Sequence, residues 1–238
     1  MAVPTPSANL PVAVIGAGPV GLAAAAHLLQ VGLEPLVLEA GPSVAAAVRQ
    51  WGHVRLFSPW RYVVDSAAET LLAATGWQRP DPETAPTGAE LVRHYLEPLG
   101  AHPAIAPHLR FNTRVTAVTR RGADRQKDAG RDASPFALHV VTPVGEERVF
   151  ARAVIDASGT YGAPNPLGGS GVPALGEAAA ADHLYYGIPN RPLAPPSPGW
   201  CVAPTCRRRS AVATRMACRS GPSWGSGPRR CWTAAQYA

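Results

Sequence analysis

Cysteine and lysine are nearly absent from most of this chain. Residues 1–190 contain no cysteine, and Lys127 is the single lysine of the 238 residues. No Cys-x-x-Cys pair occurs anywhere, and no apolar run reaches the roughly 18 residues that indicate a transmembrane helix. No basic residue precedes the first apolar stretch, so the N-terminus does not have the pattern of a secretory signal. We therefore predict a cytoplasmic protein that does not enter a membrane.

Acidic residues are missing from the C-terminal segment. Residues 191–238 contain eight arginines and no Asp or Glu, which leaves residues 1–190 with a net charge of −2 out of the chain's +6. All four cysteines also fall in this segment, and its apolar residues have no periodicity. We therefore divide the chain into a folded domain, residues 1–190, and a basic tail, residues 191–238, rich in Cys, Arg, Pro and Trp.

The tail allows three interpretations. Its arginine clusters could neutralise the phosphates of a nucleic acid. Its cysteines could hold a metal, but the tail has no histidine and no Cys-x-x-Cys pair, so we predict no metal site. Its composition is also typical of GC-rich DNA that is read out of frame. We interpret the tail as disordered or out of frame, and we expect no nucleic-acid partner.

The first apolar strand leads into a glycine motif. The strand predicted over residues 10–15 runs into Gly16-x-Gly18-x-x-Gly21, and an apolar helix follows directly. Gly16 allows a tight turn, Gly18 lets a pyrophosphate touch the backbone, and Gly21 lets the helix pack on the strand. The helix N-terminus, which includes Pro19, offers free N–H groups and a positive dipole end to phosphates. This order predicts a dinucleotide-binding turn.

An acidic residue stands at the end of the second strand. The strand predicted over Pro35–Leu38 is followed by Glu39 and Ala40. Glu39 lies 18 residues after Gly21, where a carboxylate accepts hydrogen bonds from ribose hydroxyls. Its charge argues against the 2′-phosphate of NADP at this site, since two anions repel. We predict that this pair contacts the adenosine end of a dinucleotide.

Helix signals follow further along the chain. Residues 41–66 are predicted to be irregular, and a short helix is predicted over Asp65–Ala74. Thr87-x-x-Glu90 is a capping box that starts another helix. The apolar face predicted for that helix consists of Leu91, Val92, Tyr95, Leu96 and Leu99.

The remaining strands predict an inserted meander. Strands over 111–119, 136–142 and 148–151 precede one more apolar strand, Ala153–Asp156. We expect the first three to form an antiparallel sheet and the last to return to the parallel sheet. The predicted fold class is α/β, a Rossmann-type domain with a parallel sheet and an inserted three-stranded antiparallel β-meander.

Residues 10–190 resemble the FAD half of two-dinucleotide-binding flavoprotein oxidoreductases, the group of flavin-containing monooxygenases and thioredoxin reductase-like enzymes. The glycine motif near the N-terminus carries the resemblance, together with Ala-Val-Ile-Asp-Ala-Ser-Gly-Thr at residues 153–160, which is similar to that group's Ala-Thr-Gly-type motif. The resemblance implies FAD as cofactor and NAD(P)H as co-substrate. It also implies that Ala157, Ser158 and Gly159 pass close to FAD. The alternative is that this segment is an ordinary strand that ends in a turn, without a cofactor contact. Asp156 caps the strand or approaches flavin-bound water, and we favour the cap.

Two further residues are implied by the resemblance. Trp51 matches the Trp of a Gly-Gly-x-Trp segment near the flavin, although the paired glycines of that segment are absent here. Trp51 could equally pack in the core. Val115 corresponds to a strand that offers backbone groups to adenine. The Phe-x-Gly-x-x-x-His fingerprint of monooxygenases is absent after Gly159, and the lack of Cys-x-x-Cys argues against thioredoxin reductase chemistry.

The predicted function is that of an FAD-binding domain of an NAD(P)H-dependent flavin oxidoreductase, monooxygenase-like in its resemblance. No second glycine motif follows an apolar strand after residue 160, so we expect the NAD(P)H domain to be missing and the chain not to complete a catalytic cycle alone. The alternatives are a non-catalytic dinucleotide-binding remnant and a basic nucleic-acid-binding protein. No residue has the pattern of a general acid or base, so no catalytic residue is predicted.

Overall fold

The computed structural model describes residues 9–188, apart from residues 124, 125 and 127–129. Within these residues, strands form one parallel and one antiparallel sheet. The strands are β1 (Val12–Ile15), β2 (Pro35–Leu38), β3 (Leu109–Arg110), β4 (Arg114–Arg120), β5 (Phe136–Thr142), β6 (Gly145–Ala151) and β7 (Ala153–Asp156). The α-helices are α1 (Pro19–Gln30), α2 (Ala46–Gln50), α3 (Trp60–Val63), α4 (Ser66–Ala73), α5 (Gly88–Leu91) and α6 (Glu97–Gly100).

The parallel sheet has the order β3-β2-β1-β7. In its register Ile15, the last residue of β1, lies opposite Leu38 of β2 and Asp156 of β7. Three neighbouring strands therefore end at the same level. The segments that follow them start side by side at the carboxyl edge of the sheet, which is where ligands bind in open α/β sheets.

The parallel sheet is the middle of three layers. On one face Val14 and Val37 pack against the helices, in a cluster that also contains Leu22 and Tyr95. On the other face Ala13 packs against the antiparallel sheet, together with apolar residues of β5 and β6. Because both faces are covered, β1 reads as an uninterrupted apolar run rather than an alternating one.

The predicted fold class is confirmed. β4, β5 and β6 form the antiparallel meander in that order, and β7 returns to pair with β1 in parallel. The predicted start of the first meander strand at residue 111 is wrong. Residues 109–110 belong instead to the parallel sheet as β3, and Asn112 adopts a left-handed backbone (φ 51°) that redirects the chain into β4. β3 has only two residues, which is too short for an apolar pattern to be recognised in the sequence.

Residues 41–66 are less irregular than predicted, since they contain the short helices α2 and α3. The helix after Thr87 is confirmed, with both hydrogen bonds of the capping box formed. Its predicted apolar face is buried as expected. Between α5 and α6, residues Val92–Leu96 form a π-helical turn. Pro98 explains the irregularity, because proline has no N–H for the carbonyl of His94, which accepts the Trp77 Nε1–H instead at 2.6 Å.

Asp65 links α4 to α1 and gives a pH-dependent contribution to stability. Its Oδ1 accepts from the amides of Ala67 (2.9 Å) and Ala68 (3.1 Å), and its Oδ2 lies 3.0 Å from His27 Nε2 on α1. Burial raises the pKa of the Asp65 carboxyl, but the hydrogen bonds from Ala68 and His27 outweigh it, so the pKa lies below its ordinary value.

We expect Asp65→Ala to lower the free energy of unfolding by about 1–2 kcal/mol at neutral pH, because the N-cap is lost. The folded-state pKa is below the unfolded one, so this contribution is complete above roughly pH 4 and disappears as pH falls through the folded value. Urea unfolding at several pH values measures the difference. Asp65→Asn keeps a capping oxygen without the charge and should lose less. Equal stability of Asp65→Ala and the parent at pH 7 contradicts this role.

Candidate functional site

Two glycines of the motif are required by the fold. Gly16 has φ +99°, and a Cβ on it would lie 2.7 Å from the carbonyl oxygen of Ala157. A Cβ on Gly21 would lie 1.9 Å from the carbonyl oxygen of Gly16. Side chains at these positions would therefore collide with backbone atoms, which have little freedom to move. Gly16 makes the turn and Gly21 brings α1 against β1, as the sequence predicts.

Gly18 is different, because neither packing nor its backbone requires a glycine. It is the N-cap of α1 with an extended backbone (φ −80°), and a Cβ on it would meet no atom within 4 Å. No side chain caps the helix at Gly18, and no acidic residue lies in the first turn, which begins with Pro19. The glycine leaves open space in front of the positive end of a 12-residue helix. This is the arrangement that admits a phosphate close to the backbone.

Glu39 lies beside the glycine loop and is bonded to it. Its Oε2 accepts from the amide of Ala17, and its Oε1 accepts from the amide of Gly41, each at 2.7 Å. The side chain is half-buried, whereas Ala40 is exposed. Sequence reasoning placed Glu39 at the end of β2 but did not foresee these two backbone partners.

Ala45 also fixes the glycine loop. Its amide donates to the carbonyl oxygen of Ala17 at 2.9 Å, and it enters α2 in a left-handed conformation (φ 58°). A non-glycine residue in this conformation costs about 1–2 kcal/mol. A glycine would therefore be conformationally favoured at Ala45, whereas Arg49 and Gln50 lie within α2 and have helical backbones.

The turn after β7 lies against the glycine loop. The Ala157 amide donates to the carbonyl oxygen of Ile15 at 3.0 Å, and Gly159 adopts φ +66°. Asp156 Oδ1 accepts from the hydroxyl (2.7 Å) and the amide (3.0 Å) of Ser158. These two bonds lower the pKa of Asp156 below its ordinary value. Asp156 thus has the capping geometry that we favoured, and the two sequence motifs meet at one sheet edge.

Trp51 and Val115 lie in different surroundings. Trp51 is half-buried over the start of α5, where a Cβ on Gly88 would lie 2.9 Å from its ring. This contact fits the core-packing alternative for Trp51. Val115 is half-buried between the two sheets. The chain just before it is tied to the site, because the amide of Thr113 donates to the carbonyl oxygen of Glu39 at 2.8 Å.

Together these elements form an α/β domain with a glycine-rich turn at the carboxyl edge of its parallel sheet. Residues 13–183 match the family model described as pyridine nucleotide-disulphide oxidoreductase. The chain belongs to that family, and the predicted membership of the two-dinucleotide oxidoreductase group is confirmed.

Solved structures with a similar chain path have low identity to this protein. Bacillithiol disulfide reductase Bdr from Bacillus cereus is 24% identical with a TM-score of 0.49, over 67% of this chain and 42% of that one. OTEMO in complex with FAD and NADP is 27% identical with a TM-score of 0.47, over 63% and 26%. An oxidised steroid monooxygenase bound to NADP is 24% identical with a TM-score of 0.46, over 63% and 26%. The chain therefore spans less than half the length of these structures.

No protein of curated function matches the chain significantly. Among the helices of the described residues, none combines the length and apolarity needed to cross a membrane. Within the same residues, no three His, Cys, Asp or Glu side chains are grouped so that they could hold a metal ion. The tail cysteines and the predicted boundary at residue 190 lie outside the described part of the chain.

Proposed function

We propose that residues 1–190 bind FAD as the flavin domain of an NAD(P)H-dependent oxidoreductase. The observation that carries the proposal is the open space at Gly18, in front of the α1 N-terminus, in the same loop whose Gly16 contacts the turn after β7. Gly16 and Gly21 are glycines because the fold leaves no room for a side chain, whereas at Gly18 the fold leaves room, so that a ligand can approach the backbone there. Membership of the pyridine nucleotide-disulphide oxidoreductase family supports this proposal.

Each predicted residue has a role in the proposed complex. The pyrophosphate would lie at Gly18 and Pro19, where the helix dipole favours negative charge. Glu39 keeps acceptor sites beyond the two used by backbone amides, so it can also accept from ribose hydroxyls. Ala40 and the backbone of Val115 would border the adenosine. Ala157, Ser158 and Gly159 would pass close to the pyrophosphate and flavin, and Trp51 would lie on the flavin side.

Bound FAD would supply the redox chemistry, by accepting a hydride from NAD(P)H and passing electrons to an acceptor. The chain's own residues would bind and orient it. Transfer of a hydride from NAD(P)H needs the nicotinamide to be held against the flavin, so we test it separately from FAD binding. The substrate is a small molecule of unknown class, and the compartment is the cytoplasm, where both cofactors are present.

The proposal is tested on the purified full chain. The protein should carry flavin absorbance, and denaturation should release FAD rather than FMN. Anaerobic mixing of the flavin-loaded protein with NADH and with NADPH measures hydride transfer to the flavin, separately from FAD binding. A folded, colourless protein that ignores added FAD would refute FAD binding itself.

Glu39→Ala should weaken FAD binding by about ten- to a hundredfold, or roughly 1.5–3 kcal/mol, because charge-assisted hydrogen bonds are lost. Fluorescence titration of the apoprotein measures the affinity. Glu34→Ala is the matched control, since it removes an exposed carboxylate from the other end of β2. Equal FAD affinities of Glu39→Ala and Glu34→Ala would show that the adenosine end of FAD does not lie at Glu39.

A further inference from the structure

We infer that Glu39 is a positioning residue, which holds the glycine loop and the loop after β2 in the geometry that receives a pyrophosphate. This role is separate from contact with ribose hydroxyls, and it rests on the proposed FAD function. A ligand without those hydroxyls should therefore still depend on Glu39.

The contacts make Glu39 a bridge between two loops. One carboxylate oxygen accepts from Ala17, in the glycine loop, and the other from Gly41, in the loop after β2, both at 2.7 Å. The far sides of both loops are also held. The carbonyl oxygen of Ala17 accepts from Ala45, and that of Gly41 accepts from Asn112, each at 2.9 Å. The carboxylate thus completes a hydrogen-bonded frame around Ala17.

Ala17 precedes Gly18, so its position sets where the open space and the first turn of α1 lie. Ala17 is fully buried, which leaves its amide few alternative partners. A buried amide without an acceptor is costly, and the loop would shift to find one if the carboxylate were removed. Shifts of about 1 Å in a binding loop are enough to weaken interactions with a ligand. Gly41 fits this frame closely, since a Cβ on it would lie 3.1 Å from Glu39 Oε1 and 2.3 Å from Ala46 Cβ.

The first arm of the test needs no ligand. Amide hydrogen exchange is followed by NMR in the full apoprotein and in Glu39→Ala. Protection at Ala17 and Gly41 should fall at least about tenfold, because both amides lose a charge-assisted bond. The amide of Val12, which donates to the carbonyl oxygen of Glu34 at 2.8 Å, serves as an internal reference and should not change. Unchanged protection at both loop amides would overturn the inference.

The second arm separates positioning from ribose contact. ADP and 2′,3′-dideoxy-ADP are titrated into the parent, Glu39→Ala and Glu34→Ala, in competition with FAD. Dideoxy-ADP should bind Glu39→Ala at least about fivefold more weakly than the parent. If Glu39→Ala binds ADP more weakly than the parent but binds dideoxy-ADP equally well, Glu39 acts through the ribose hydroxyls alone. That result would overturn the inference. A parent protein that binds neither FAD nor ADP would instead refute the proposed function.

A conservative variant keeps the test valid if Glu39→Ala does not fold. Glu39→Gln retains one acceptor oxygen, so one of the two amides should keep its protection and the other should lose it. The affinity of Glu39→Gln for dideoxy-ADP should be lower than that of the parent, but binding should still be measurable. Full protection of both amides in Glu39→Gln, with parental dideoxy-ADP affinity, would contradict the positioning role.

Discussion

Gly18→Val is expected to lower FAD affinity more than about a hundredfold while leaving the fold intact. The extended backbone of Gly18 is one that valine adopts readily, and no atom lies within 4 Å of the added Cβ, so folding gives no reason for a loss. The new side chain would occupy the space proposed for the pyrophosphate. FAD titration and thermal unfolding of the same preparation measure both quantities.

Gly162→Val is the matched control for this variant. Gly162 also has open space around its Cβ position and lies outside the motif, so FAD affinity should stay at the parental value. If Gly18→Val binds FAD as tightly as Gly162→Val, the pyrophosphate does not approach Gly18 and the proposed site is wrong.

Gly21→Ala is expected to cause a large loss of stability, in contrast to Gly18→Val, which should lose FAD affinity and keep its fold. The added Cβ would lie 1.9 Å from the carbonyl oxygen of Gly16, so α1 must move away from β1. Because the collision is with backbone at the centre of the core, we expect the free energy of unfolding to fall by about 3 kcal/mol or more. Urea unfolding followed by circular dichroism measures it.

The same substitution at Gly18 provides the comparison. Gly18→Ala adds the same methyl group three residues earlier, where nothing lies within 4 Å, and should cost at most about 1 kcal/mol, because alanine is a poorer N-cap than glycine. Similar unfolding midpoints for Gly18→Ala and Gly21→Ala would show that the close packing of α1 on β1 is not needed for stability.

Strong apolar patterns made most of the fold predictable. β2, β5 and β7 have the predicted bounds because each is a continuous or alternating apolar run between clear turn signals. β3 was missed because two residues carry no pattern. α2 was missed because it is short and because its N-cap, Ala45, has a left-handed backbone. Alanine rarely adopts this conformation, so the sequence does not predict it.

The candidate site was predictable only where its residues are close together in the sequence. The three glycines and Glu39 are identified by spacing, since the motif is local. The partners of Glu39 are not local, because Ala17 is 22 residues away and approaches only when β1 and β2 pair in register. The contact between Trp51 and Gly88 is not local either, because Gly88 lies in a capping turn 37 residues further along the chain.

The most direct measurement of the central claim is a parallel titration of the full apoprotein with FAD and with FMN. The proposed site lies at the end of β1 and β2 and grips the pyrophosphate and adenosine, which FMN lacks. We predict saturable binding of one FAD per chain and at least about a hundredfold weaker binding of FMN. Equal affinity for the two flavins, or no binding of FAD by the folded protein, would contradict the account.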